Sequence, residues 1–180
     1  KVSKLETLQQ QTPLFGYTGI AHTRWATHGK PSTVNAHPHF SKDNIAIVHN
    51  GIIENHAPLR QLLIEQGYEF GSETDTEVIA HLVHHHLTQS NDMIDAIQKT
   101  TKQLTGAYAL GIIVQNQPNK LYAVRKGSPL VIGVGIGEHF ISSDPLALLP
   151  VTQHFIYLKE GDLAVLSTND IQVLDESGQV

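Results

Sequence analysis

The stretch H-T-R-W-A-T-H-G, residues 22–29, concentrates more chemistry than any other part of the chain. It sets a fixed cation (Arg24), the only tryptophan (Trp25), a hydroxyl (Thr27) and an imidazole (His28) close together, and it ends on Gly29. An arginine fork matches a carboxylate in two parallel hydrogen bonds. Thr27 and His28 can add bonds to the same anion, and Trp25 can wall off water. Each of these residues alone is ordinary surface or core material. An anion clamp therefore needs partners elsewhere in the sequence.

The surroundings are those of one globular domain. The 180 residues suffice to bury roughly 70% of the unfolded surface. A composition of 40% hydrophobic and 16% charged residues, with no apolar run near the roughly 20 residues of a membrane span, argues against a membrane protein. The net charge of -5 and the lack of a dense Lys/Arg stripe argue against nucleic acid. The start Lys1-Val2-Ser3-Lys4 carries no signal-peptide pattern, so a cytoplasmic protein is expected. With no cysteine, disulfides, thiolate metal sites and, as written, thiol catalysis are excluded.

Outward from the motif, residues 18–23 read as a strand and 29–39 as a Pro- and Asn-containing loop. Helices are expected over 3–11, 55–66, 74–87 and 92–104. Ser3…Glu6 and Thr74…Glu77 form capping boxes, Pro58 sits near one start, and Gly67 and Gly106 act as stops. The β-branched run 45–48 predicts a buried strand. Seven short strands are expected over 107–114, 120–125, 130–134, 139–142, 155–158, 162–166 and 171–174. A mixed α and β protein with mostly antiparallel pairing follows.

Four other features compete for function. Asn50-Gly51 could close a hairpin or let the backbone approach a ligand. Asp75 fits the first turn of a helix, where the dipole favours carboxylates. Among twelve histidines, His84-His85-His86 fan out by about 100° per residue on a helix and cannot converge. His81 and His85, with Glu77 a turn earlier, could form a zinc pair, but H-E-x-x-H is missing, so a solvated helix face is the preferred reading. No metal and no cofactor are expected. Gly133-x-Gly135-x-Gly137 lacks dinucleotide spacing and reads as a turn-rich strand region.

Taken together, residues 22–29, His49-Asn50-Gly51 and Glu73-Thr74-Asp75-Thr76-Glu77 resemble the glutaminase domain of the class II glutamine amidotransferases, which are N-terminal-nucleophile hydrolases. Within that family the wording is most similar to the glucosamine-6-phosphate synthases. The resemblance extends through Asn35-Ala36-His37-Pro38-His39, residues 51–55, 128–133 and 143–150, and so covers nearly the whole chain. It implies a four-layer αββα sandwich, an α+β fold, incomplete at the N-terminus. It implies that Arg24, Thr27 and His28 hold the glutamine carboxylate, that Asp75 holds the ammonium, and that Asn50 and Gly51 form an oxyanion hole. Trp25 resembles the gate to an ammonia tunnel, and the loop 24–32 a lid over bound glutamine.

The family's nucleophile is an N-terminal cysteine, which this chain lacks. The resemblance implies that residues 1–180 are a single glutaminase domain without its first segment, inactive alone. In the intact enzyme it would serve separate sugar-phosphate isomerase domains, in a homodimer. Amidophosphoribosyltransferases share the Arg, Asn-Gly and Asp but usually carry Tyr where this chain has Trp25. A non-catalytic glutamine- or glutamate-binding module and a zinc hydrolase are the remaining readings.

Overall fold

The computed structural model describes residues 2–24 and 29–180; Trp25, Thr27 and His28, three of the expected site residues, lie outside the described residues. Helix α1 (Val2–Gln11) is followed by strands β1 (His39–Ser41) and β2 (Ile45–Ile53). Helices α2 (His56–Glu65), α3 (Asp75–Ser90) and α4 (Met93–Gln103) come next. Strands β3 (Gly106–Val114), β4 (Leu121–Lys126), β5 (Val131–Val134) and β6 (His139–Ser142) follow, then a 3-10 helix (Pro145–Leu148). Strands β7 (Phe155–Tyr157), β8 (Leu163–Leu166) and β9 (Ile171–Leu174) complete the order.

Two antiparallel sheets result, one of order β1-β2-β3-β4-β8-β9 and a smaller one of order β6-β5-β7. Alternation along the strands decides what each face covers. Leu110, Ile112, Tyr122, Val124, Leu163 and Val165 point into the core shared with α2, α3 and α4. Their neighbours Ile113, Ala123, Ala164 and Leu166 point the other way, against Ile132 and Ile141 of the small sheet. The outer side of the small sheet meets the 3-10 helix, where a side chain at Gly133 would strike Leu148 and Thr152. The αββα order is therefore present, its fourth layer among the described residues being that single turn over the small sheet. Helix α1 is exposed along its described length, and Leu5 is 59% accessible.

Two expectations change. Residues 18–23 form no strand: a β-branched run needs a neighbour to pair with, and none of the described strands pairs with this one. Conversely, β1 lies at and beyond the end of the expected loop, pairing His39 with Ile47 and Ser41 with Ile45. It stops there. From Val48 onward, the outer edge of β2 faces the start of α3 instead of another described strand.

A candidate glutamine site at the open edge of β2

Asn50-Gly51 does not close a hairpin. It lies inside the continuous strand β2, with Asn50 opposite Ala109 and Gly51 opposite Tyr108. Gly51 has φ of 127°, and a Cβ there would stand 2.0 Å from the Ala107 carbonyl oxygen. Only glycine fits so close to β3 in that conformation.

Helix α3 delivers Asp75. Thr74 caps the helix, its side chain accepting from the Glu77 N–H at 3.3 Å. Asp75 follows as the first helical residue and is buried. Its Oδ2 accepts from the Ile53 N–H at 2.9 Å, which ties the helix start to the open edge of β2. Glu77 does not reach back to the cap as a capping box would. It turns to the preceding loop, accepting from the Gly71 and Ser72 N–H groups at 2.8 and 2.7 Å and from the Ser72 hydroxyl at 2.6 Å. Burial alone would raise its pKa. The hydrogen bonds from His81, Ser72 and Gly71 outweigh that and bring it down to about 2.

Arg24 arrives from the third segment in a left-handed conformation, φ 47°. Its guanidinium donates to the carbonyls of Lys30 at 3.0 Å and Gly29 at 3.1 Å. Arg24 is thus tied to Gly29 and Lys30 as well as lining the cavity. Lys30 is also held by Asn35, whose amide donates to the Lys30 carbonyl and to Glu73 while accepting from the Glu73 N–H.

Arg24, Asn50, Gly51 and Asp75 line one cavity of about 240 Å³. His22, His37, His49 and Thr76 complete much of its wall. None of these four was assigned a site role by the sequence. His22 Nε2 lies 2.7 Å from Asn50 Oδ1, and Thr76 Oγ1 lies 2.9 Å from His37 Nε2 and 3.0 Å from His49 Nδ1. Burial, then the neighbouring His22, His39, His49 and Arg24, lowers the His37 pKa to about 3, so this ring is uncharged at neutral pH. The signal for these residues was present as imidazoles flanking both motifs, but their partners stand 27–39 residues away in the chain.

The helix face carrying Glu77 and His81 is a correction. It is buried, not solvated: His81 packs on Tyr68 and Phe70, with Ser41 Oγ at its Nδ1 and the Glu69 carbonyl at its Nε2. His85 bonds to Gln89 at the exposed end of the same face. Among the described residues, no three His, Asp or Glu side chains come together as a metal cluster.

A family model described as a glutamine amidotransferase domain matches residues 22–150. Glutamine–fructose-6-phosphate aminotransferase (isomerizing) of Legionella pneumophila (strain Lens) is 58% identical over 98% of this chain and 29% of its own length. The enzyme of the same name from Shewanella oneidensis is 54% identical over 99% of the chain, again 29% of its own length. The chain therefore spans less than a third of these curated relatives. Among solved structures, the glutamine phosphoribosylpyrophosphate amidotransferase of B. subtilis superposes with a TM-score of 0.71 at 25% identity, covering 88% of this chain and 35% of that one. A glutamine aminotransferase class-II domain protein from silicibacter pomeroyi shares the fold, with a TM-score of 0.60 at 16% identity over 77% of this chain and 70% of its own. The family match spans both walls of the cavity and every strand and helix that positions them from β1 to β6, and on that basis the chain belongs to the glutamine amidotransferase domain family.

Proposed function

We propose that residues 1–180 are the glutamine-hydrolysing domain of a longer enzyme that transfers the released ammonia to fructose 6-phosphate, yielding glucosamine 6-phosphate. The observation that carries this reading is the convergence of Arg24, Asn50, Gly51 and Asp75, from three separate segments, on one cavity. Glutamine is a zwitterion with an amide at its far end. Arg24 offers its carboxylate a fixed cation, and Asp75 offers its ammonium a carboxylate. Asn50 Nδ2 and the Gly51 N–H would receive the oxyanion. Alternate N–H groups of a strand share a direction, so Gly51 takes that of Ile53, which donates away from β3 to Asp75.

The reaction needs a nucleophile that this chain does not contain, since it has no cysteine. An N-terminal thiolate, its own amine serving as base, would attack the glutamine amide carbon. The tetrahedral oxyanion would rest on Asn50 and Gly51. Collapse breaks the C–N bond and releases ammonia once the nitrogen is protonated, and water then hydrolyses the glutamyl thioester to glutamate. Preorganised donors of this kind are worth about 10²–10³ in kcat when one is removed. Thr27 and His28 as further carboxylate ligands, and Trp25 as gate, belong to the same reading through the resemblance. So do sugar-phosphate isomerase domains in a homodimer and a cytoplasmic location. The 58% identity to the fructose-6-phosphate enzyme against 25% to the B. subtilis phosphoribosylpyrophosphate enzyme favours the hexosamine branch. No helix among the described residues is long and apolar enough to cross a membrane.

Calorimetry and ammonia release test the proposal. The 180-residue chain is expected to bind glutamate but release no ammonia from glutamine. Arg24→Ala should weaken that binding by about 2–5 kcal/mol, the usual cost of truncating one partner of a buried charge pair. Unchanged affinity would remove Arg24 from the clamp. Joining the chain to the N-terminal segment of the Legionella relative, with its expected cysteine, should create glutaminase activity. A joined protein that folds and binds glutamine but releases no ammonia would point to a binding module instead.

A further inference from the structure

We propose that His22 is a positioning residue that holds the Asn50 amide with its NH2 group turned toward the substrate. This rests on the reading of Asn50 as an oxyanion donor. His22 Nδ1 accepts the backbone N–H of Arg24 at 2.9 Å, so its lone pair is committed there. A neutral imidazole carries one N–H, which then sits on Nε2. Nε2 lies 2.7 Å from Asn50 Oδ1. The opposite amide orientation would set two donors against each other, so the oxygen faces His22 and Nδ2 faces away. Asn50 lines the cavity, and among the described residues no hydrogen bond occupies its Nδ2.

The Arg24 N–H folds back onto a ring two residues earlier in the chain. The His37 ring, 4.4 Å away centroid to centroid, backs the imidazole from the side. The residue read as the carboxylate clamp thus fixes the ring that fixes the oxyanion donor. Substrate recognition and transition-state stabilisation share one hydrogen-bonded chain: Arg24 N–H, His22, Asn50. Such an arrangement spares the amide any reorientation as charge develops.

Two measurements decide it. In the 180-residue chain, long-range proton–nitrogen NMR correlations of the imidazoles should show His22 with its proton on Nε2, and His22→Ala should shift the Asn50 side-chain amide signals. A proton on Nδ1, or Asn50 signals indifferent to H22A, would overturn the proposal whatever the activity. In the cysteine-bearing protein, H22A should lower glutaminase kcat by about 10- to 100-fold, approaching the loss of one oxyanion donor, with KM for glutamine changed less than about threefold. His22→Gln, whose amide N–H can also reach Asn50 Oδ1, should restore most of that loss. Equal losses in H22A and H22Q, or a loss carried by KM, would overturn it. Asn50→Ala separates this proposal from the reading beneath it. If N50A keeps full kcat, the oxyanion reading fails and the proposal falls with it. If N50A loses kcat and H22A does not, the proposal alone falls.

Discussion

Gly51 shows how one residue can answer to fold and chemistry at once. Its φ of 127° and the Ala107 carbonyl 2.0 Å from where a Cβ would stand require glycine before any substrate is considered. Gly51→Ala should therefore lower stability by more than about 1 kcal/mol, the floor for alanine forced to positive φ. Urea denaturation measures this, and a midpoint equal to wild type would mean the close approach to β3 is not real. At this scale the sequence was legible where a single side chain advertises its chemistry, as Arg24 does, or where a motif resembles a known one, as Asn50, Gly51 and Asp75 do. It was not legible for His22, Asn35 and Glu73. These act through hydrogen bonds to residues distant in the chain, and nothing in their local spacing marks the partner.

Helix α3 was readable because its start is encoded locally: Thr74 followed three residues later by Glu77. Only half of that box forms, since Glu77 turns to Gly71 and Ser72. Thr74 also meets His39 Nε2 at 3.0 Å and Ser72 Oγ at 3.0 Å, so the cap doubles as a junction with β1. Thr74→Ala should cost about 1–2 kcal/mol in unfolding free energy, and Thr74→Ser should stay near wild type. If T74A unfolds at the wild-type urea concentration, the cap contributes nothing to this element. Strand β1 escaped the sequence because three residues carry too little periodicity to count. Residues 18–23 misled in the opposite direction: their composition suits a strand, but pairing is a property of the neighbour.

Across the molecule, protonation links these sites to stability. Burial leads in lowering the pKa values of His37, His39, His84 and His86 in the folded state, His37 to about 3. The unfolded chain takes up those protons first. Their contribution to stability is complete above the ordinary histidine value of 6.5 and is lost as pH falls from there toward 3. Glu77 adds a second window: its contribution is present above the ordinary 4.5 and disappears as pH drops through about 2. The urea midpoint should thus decline from pH 7 to pH 4. His37→Gln should flatten that slope, and Glu77→Gln should flatten the steeper fall below 4.5. A midpoint constant from pH 7 to pH 3 would contradict both assignments. The brevity of β1 carries a consequence of its own. Backbone groups in a finished ladder are saturated and offer a ligand nothing. By stopping at Ile47, the pairing leaves the next stretch of β2 without a second partner strand among the described residues; Asp75 takes the Ile53 N–H there, and Asn50 and Gly51 line the cavity. Lengthening β1 by a few residues should extend the ladder across this edge and close the pocket, so the cavity is made by leaving the pairing short.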